Sequence, residues 1–199
     1  MFDPIVFENI KVALENQLYD LDNLDERISI IDRKDTLNMA VMSREWSLRF
    51  VLRDTLEANE DAASELSFIS AELVLQSEIN DIADEILERS ATRPACQLLV
   101  RFYCIVEDPA VDCPAIEHII NEQWERGTIP TQHLSQYFGQ ATQAVNGDEA
   151  KLLWRPFFYY NKVELSLNRR VGEEQMSDFE QLIECVIETV EKLEEHFKY

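Results

Sequence analysis

Apolar residues recur along this chain with two different periods, and each change of period marks an element. Asp3 before Pro4 is a helix start, a side-chain acceptor at the N-cap followed by a residue whose missing N–H costs nothing in the first turn. From there Phe7, Ile10, Leu14, Leu18 and Leu21 share one face of a helix predicted over about 4–25. The period then drops to two. Ile28 and Ile30 alternate with Arg27 and Ser29, Leu37, Met39 and Val41 with Asn38 and Ala40, and Trp46, Leu48, Phe50 and Leu52 with Ser47, Arg49 and Val51. Asp32-Arg33-Lys34-Asp35 and Ser43-Arg44-Glu45 separate these runs as polar turns, which predicts a three-stranded antiparallel meander over 27–53.

Residues 54–90 are expected to be helical, with Leu66, Ile69, Leu73, Ile79, Ala83 and Ile86 near one face. Leu66-Ser67-Phe68 and Leu73-Val74-Leu75 suit a strand as well. The segment after Pro94 fits both periods: Leu98, Val100, Phe102, Cys104 and Val106 alternate, while Ala95, Leu98, Leu99, Phe102, Ile105 and Val106 fit a helical face. Pro94 at a first helical position tips the expectation to helix. Cys113-Pro114 reads as another start, leading through Ile116, Ile119, Ile120 and Trp124 to Gly127 at the C′ position, and 130–145 reads as a further short helix. A hairpin is expected at Leu153–Tyr160 and Val163–Asn168, turning at Asn161-Lys162, with Pro156 demoting its first strand to an edge strand or a bulge. The last helix, over 174–197, rests on Phe179, Leu182, Ile183, Val186, Ile187, Val190 and Leu193. The expected class is α+β. An antiparallel sheet, a three-stranded meander plus a later hairpin, is packed by N-terminal, middle and C-terminal helices, with a helical insertion around 91–150. Only four glycines occur and no linker composition divides 1–199, so a single domain is expected.

Composition narrows the class of function. Of the 199 residues 46 % are apolar and 10 % aromatic, which excludes a disordered or fibrous chain. No apolar run reaches the roughly 18–20 residues that span a bilayer. Met1-Phe2-Asp3-Pro4 has no basic leader, and Cys96, Cys104, Cys113 and Cys185 contain no CxxC, so reduced thiols and a cytoplasmic location are expected. The net charge of −21 argues against nucleic acid and anionic membranes as partners. That charge is unevenly placed. Residues 54–88 hold eleven acids and no Lys or Arg, and 173–195 hold nine acids against Lys192. Residues 27–53 carry six basic and three acidic residues, and 151–170 five and one. The predicted helices are anionic and the predicted strands mildly cationic.

Tests for catalytic motifs fail. The glycines are too sparse for a phosphate loop, and GxSxG, HExxH and ExxH do not occur. The segment from Asp54 offers Leu56, Ala58 and Asn59 where a calcium loop needs oxygen ligands and a glycine, so no metal is expected. Cys113 is the weak catalytic candidate: a predicted helix N-terminus would lower its thiol pKa, with His118 or His133 as base and Asp112 or Glu117 to orient it. His118 lies five residues along, off the face that Cys113 begins. No cofactor is implied. Of the rings Phe157–Tyr160, two must face away from the core if they alternate on a strand, toward the insertion helices, a second subunit or a ligand.

The element order helix, three strands, helix, two strands, helix resembles that of small acidic secretion-chaperone-like α+β domains, with about fifty additional residues before the last two strands. The resemblance is one of topology, and it implies an acidic partner-binding protein, often a dimer. Two surfaces suit a protein partner. One is the anionic helical face, which would steer a partner with a basic surface. The other is an open sheet face presenting Arg33, Arg49 and Arg53 beside Ile31 and Val51, which also admits a homodimer. The leading expectation is therefore a non-enzymatic acidic protein-binding module, a chaperone, adaptor or inhibitor. Its alternatives are a small enzyme with a site between the sheet and 91–150, using Cys113, and an acidic nucleic-acid mimic.

Overall fold

The computed structural model describes residues 5–58, 68–86, 94–124, 128, 130–136 and 158–197. Helix α1 (Ile5–Asn23) leads into a hairpin of β1 (Ile28–Asn38) and β2 (Ser43–Leu52). Then come α2 (Arg53–Ala58), β3 (Ser70–Ser77), α3 (Ile79–Ile86), β4 (Cys96–Val106), α4 (Pro109–Gln123), β5 (Pro130–Ser135) and β6 (Tyr159–Val171). A 3₁₀ turn at Glu173–Asp178 enters α5 (Phe179–Phe197). The strands form one antiparallel sheet in the order β1-β2-β3-β4-β6-β5, so the fold is α+β, with the helices laid on the sheet.

One face of the sheet makes the core. Trp46, Leu48, Phe50, Leu73, Leu75, Val100, Phe102, Val163 and Leu165 are buried there against Phe7, Ile10, Leu14 and Leu18 of α1, Ile116 and Ile120 of α4, and Ile183, Val186, Val190 and Leu193 of α5. The two terminal helices carry the faces their periodicity predicts. Lys11 reaches across the buried stripe of α1 to Glu8 at 2.7 Å and Asp35 at 3.0 Å.

Several elements differ from the sequence expectation. The meander is two long strands, because Asp32-Arg33-Lys34-Asp35 is not a turn. The register shifts between Ile30 and Asp32, an extra residue that exchanges the faces. Ile28 and Ile30 face the core with Leu52 and Phe50 before the bulge, and Arg33 and Asp35 face the helices with Leu48 and Trp46 after it. The true turn is Met39–Met42, where Asn38 Oδ1 accepts from Ala40 N at 3.0 Å and Met42 takes φ 52°. Within 54–90, Ser70–Ser77 is a central strand buried on both faces, so its apolar run mimics a helical stripe.

The helical insertion over 91–150 is likewise corrected. Only Pro109–Gln123 is helical among its described residues, while Cys96–Val106 and Pro130–Ser135 are strands. Helix α4 begins at Pro109, not at Cys113-Pro114: Asp108 caps it by accepting from Ala110 N at 3.0 Å, and Pro114 lies inside. Asn161-Lys162 is no turn either, since β6 runs straight through it and Asn161 is 1 % exposed, donating to Gln132 Oε1 at 2.8 Å. The strand expected at Leu153–Tyr160 lies outside the described residues up to 157. This order of elements replaces the one on which the secretion-chaperone resemblance rested.

Candidate functional site

The expected sheet-face cluster is distributed over the two sides of the sheet. Arg33 sits on the helix side, where its Nε donates to Glu15 Oε1 at 2.7 Å; the same oxygen accepts from Trp46 Nε1 at 2.8 Å. Arg53, the first residue of α2, donates to Asp22 Oδ1 at 2.9 Å and to the Asp22 carbonyl at 2.8 Å, tying α2 to the end of α1. Ile31 is the half-buried bulge residue, and Val51 is 1 % exposed. Arg49 alone of the three arginines faces away from the helices. Its Nε donates to Ser70 Oγ at 2.8 Å and its guanidinium lies 4.1 Å from the centre of the Tyr103 ring.

On that far face the register places Asp32, Arg49, Glu72, Arg101 and Glu164 side by side across β1, β2, β3, β4 and β6. The signs alternate along the row, as favoured for cross-strand neighbours. Arg101 donates to Glu164 at 2.8 Å and approaches Glu72 at 3.5 Å, and Tyr103 OH donates to Glu72 at 2.7 Å. Burial pushes the Glu164 carboxyl up, but the Arg101 hydrogen bond and charge outweigh it and hold the group below its ordinary value.

The catalytic candidate is dispersed. Cys113 is in the second turn of α4, away from the unsatisfied N–H groups that would favour a thiolate, and burial followed by the Asp112 charge pushes its thiol up. Asp112 instead accepts from Glu107 N and Asp108 N at 3.0 and 2.9 Å. His118 is an outer residue with Glu122 at 3.4 Å. Gln132 reaches the Cys113 carbonyl at 2.8 Å, so its neighbour His133 points to the other face of β5. Cys104 is buried and its thiol pushed up by that burial to about 12. Among the described residues no three His, Cys, Asp or Glu side chains gather as a metal cluster, and no described helix is long and apolar enough to cross a membrane.

The anionic surface takes its most concrete form between α1 and α5. The last turn of α1 and the first turns of α5 enclose a groove of about 310 Å³ whose walls carry Asp20, Asp25, Glu180 and Glu184, with Leu21 and Ile183 beneath. Arg27 is the cation of this lining, and it is engaged: its Nη1 and Nη2 donate to the two Glu184 oxygens at 2.8 and 2.7 Å. That pairing raises the guanidinium and lowers the carboxyl from their ordinary values. Gln17 Oε1 is buried at the same groove with no hydrogen-bond partner among the described residues. Helix α1 places Asp20 and Asp22 in its last turn with no basic residue, where the helix macrodipole is already negative. Charge and dipole therefore add, against the preference of the isolated helix. Of the anionic helices expected at 54–88 and 173–195, the second supplies Glu180. The first contains strand β3, and its residues 59–67 and 87–88 lie outside the described residues. Asp20 and Asp25 meet Glu180 only when α1 and α5 lie together.

Comparison with protein-family models, with curated proteins and with solved structures finds no match to this chain.

Proposed function

We propose that this protein is a non-enzymatic acidic module that binds another protein, receiving a Lys/Arg-rich segment in the groove between α1 and α5. The observation that carries the reading is the concentration of Asp20, Asp25 and Glu180 at the negative end of α1, beside an Arg27 already held by Glu184. A basic side chain entering there meets three carboxylates and the Gln17 carbonyl oxygen, with Leu21 and Ile183 to receive its methylene stem. Asp20 lies against the dipole of α1 and lowers that helix's stability, so a binding role gives it a purpose that solubility alone would satisfy elsewhere. The dispersal of Cys113, His118 and His133 supports this reading over that of a small enzyme using Cys113.

The test is fluorescence anisotropy with a labelled Lys/Arg-rich peptide. Neutralising the groove (Asp20→Asn, Asp25→Asn, Glu180→Gln) is expected to weaken binding about tenfold or more. The same charge change on α4 and the turn before it (Glu107→Gln, Glu117→Gln, Glu122→Gln), at residues that are exposed, is expected to leave binding within about twofold. Equal losses in the two triple variants would show diffuse attraction to a −21 chain and refute the groove.

A further inference from the structure

The face of the sheet opposite the helices holds a second cavity, unrelated to the acidic groove. Arg49 of β2, Tyr103 of β4, Tyr160 and Lys162 of β6, His133 of β5 and Phe68 before β3 line a cleft of about 360 Å³. That volume is at the lower end of small-molecule sites. Its chemistry follows from the register. Tyr103 lies opposite Lys162, which lies opposite His133, and Ile105 lies opposite Tyr160, so cations and rings stand in adjacent rows on one face.

The charges here run against the rest of the protein. Arg101 uses Glu164 at 2.8 Å and Glu72 at 3.5 Å, and Lys34 uses Asp32. Four cations in and beside the charge row, Lys34, Arg49, Arg101 and Lys162, thus stand against its three carboxylates, Asp32, Glu72 and Glu164, one positive charge in excess. Arg49 donates to the neutral Ser70 hydroxyl and stacks on Tyr103, and Lys162 stands 3.6 Å from a Glu164 oxygen that Arg101 already holds more closely. Arg49 and Lys162 both line the cleft, with His133 beside them. In a chain of net charge −21, a charge row with cations in excess, two of which (Arg49 and Lys162) line one cleft, marks a place that favours a small anion. The aromatic side is equally definite. Tyr103 is fixed by its bond to Glu72, and Phe158 meets Tyr160 edge to face at 5.4 Å, which holds two of the cleft's rings against neighbours. Pre-set rings lose little entropy when a planar group enters.

We infer that this cleft binds a small aromatic carboxylate, its ring among Phe68, Tyr103 and Tyr160 and its carboxylate toward Arg49 and Lys162. Arg49 can donate from its terminal nitrogens while Nε stays on Ser70. The inference does not rest on the groove between α1 and α5, which lies on the helix side.

The test uses 2-naphthoate as probe with the full chain, read by calorimetry and by ¹H–¹⁵N NMR. Saturable binding is expected below about 5 mM, with shifts centred on Tyr103, His133, Tyr160 and Lys162. Neutral 2-naphthalenemethanol is expected to bind about tenfold more weakly, and inorganic phosphate likewise. Lys162→Gln, which leaves the Arg101–Glu164 pair in place, should weaken naphthoate about fivefold with an unchanged NMR fold pattern. Arg49→Gln should do so more strongly, and Lys162→Gln keeps the test decisive if the Arg49 variant fails to fold. Three results overturn the inference: shifts that map elsewhere or do not saturate, equal affinity for the alcohol, or phosphate binding as tightly as naphthoate at the same residues. Peptide capture by the acidic groove should be the same in wild type and Lys162→Gln, so the two proposals fail separately.

Discussion

Replacing Arg101 by Met leaves the centre of the far-face charge row unbalanced. Arg101 stands on β4 between Glu72 of β3 and Glu164 of β6, its side chain 17 % exposed and that of Glu72 8 %. Removing one member of a buried ion pair typically costs about 3–5 kcal/mol, because the remaining charge is left without compensation. The lower end applies here, about 3 kcal/mol, since Glu72 keeps the Tyr103 hydroxyl and Glu164, 28 % exposed, can turn to water. For a chain of this size that is a fall in Tm of about 6–12 °C, measured by circular dichroism and confirmed by urea unfolding at constant m. Adding Glu72→Gln should restore about half of the loss, because glutamine accepts from Tyr103 without a charge to bury. The sign with pH is fixed. The folded Glu164 carboxyl lies below its ordinary 4.5, so its stabilisation is present above that value and is lost as pH falls through the folded one. The gap between wild type and Arg101→Met is therefore widest near neutrality and narrows in acid. A loss below about 1 kcal/mol at neutral pH, or a double variant less stable than Arg101→Met, would refute this account of the row.

Four further outcomes follow from the same geometry. Burial pushes the Asp35 carboxyl up, but hydrogen bonds from Arg44 and Lys11 prevail and hold it below 3.8. Asp35→Asn should thus cost about 1–2 kcal/mol in urea unfolding at pH 7, and the difference from wild type should fade as pH drops through the folded value. Glu26 and Met42 occupy φ 53° and 52°, where a side chain is strained, so Glu26→Gly and Met42→Gly should each raise Tm by about 2–4 °C. Iodoacetamide at pH 7 should label Cys113 no faster than Cys185, since burial raises both thiols, and should reach Cys104 only after unfolding. Trp124 Nε1 donates to the buried Thr189 hydroxyl at 3.1 Å, and Trp124→Phe should cost about 1–2 kcal/mol by loosening α4 from α5.

How far the fold was legible in the sequence depended on burial. Helices α1 and α5 bury one face each, and Phe7, Ile10, Leu14 and Leu18, like Ile183, Val186, Val190 and Leu193, state a helical period without ambiguity. Strands β3 and β4 are central. Leu73, Val74 and Leu75, and Leu98, Leu99 and Val100, are buried in succession, and a continuous apolar run fits either period. The bulge at Ile31 hid in another way, by exchanging inside for outside in mid-strand, so that Asp32-Arg33-Lys34-Asp35 read as a turn. The far-face row was invisible for want of register. Asp32, Arg49, Glu72, Arg101 and Glu164 are widely spaced in the chain, and each is an ordinary polar position of its own strand. Only pairing makes them neighbours. The cleft at Tyr160 was half legible: alternation required that some of Phe157–Tyr160 face away from the core, but not that Arg49 and Lys162 would meet them.

The segregation of charge along the chain takes a different meaning once the partners are known. Anionic helices and cationic strands suggest two opposed surfaces, each offering itself to the outside. Instead most of the strand cations are consumed by carboxylates within the molecule: Arg27 by Glu184, Arg33 by Glu15, Lys34 by Asp32, Arg44 by Glu8 and Asp35, and Arg53 by Asp22. Four of these five unite a strand, or the residue flanking one, with α1 or α5, so the opposite charges hold the layers in register more than they display themselves. What the surface retains is the excess, and it is nearly all acidic. Salt should therefore act twice, weakening any capture of a basic partner at the groove while relieving the self-repulsion of a chain at −21. A binding assay read without a parallel stability measurement would merge those two effects. Read together, they separate the carboxylates paired within the fold from Asp20, Asp25 and Glu180 of the groove.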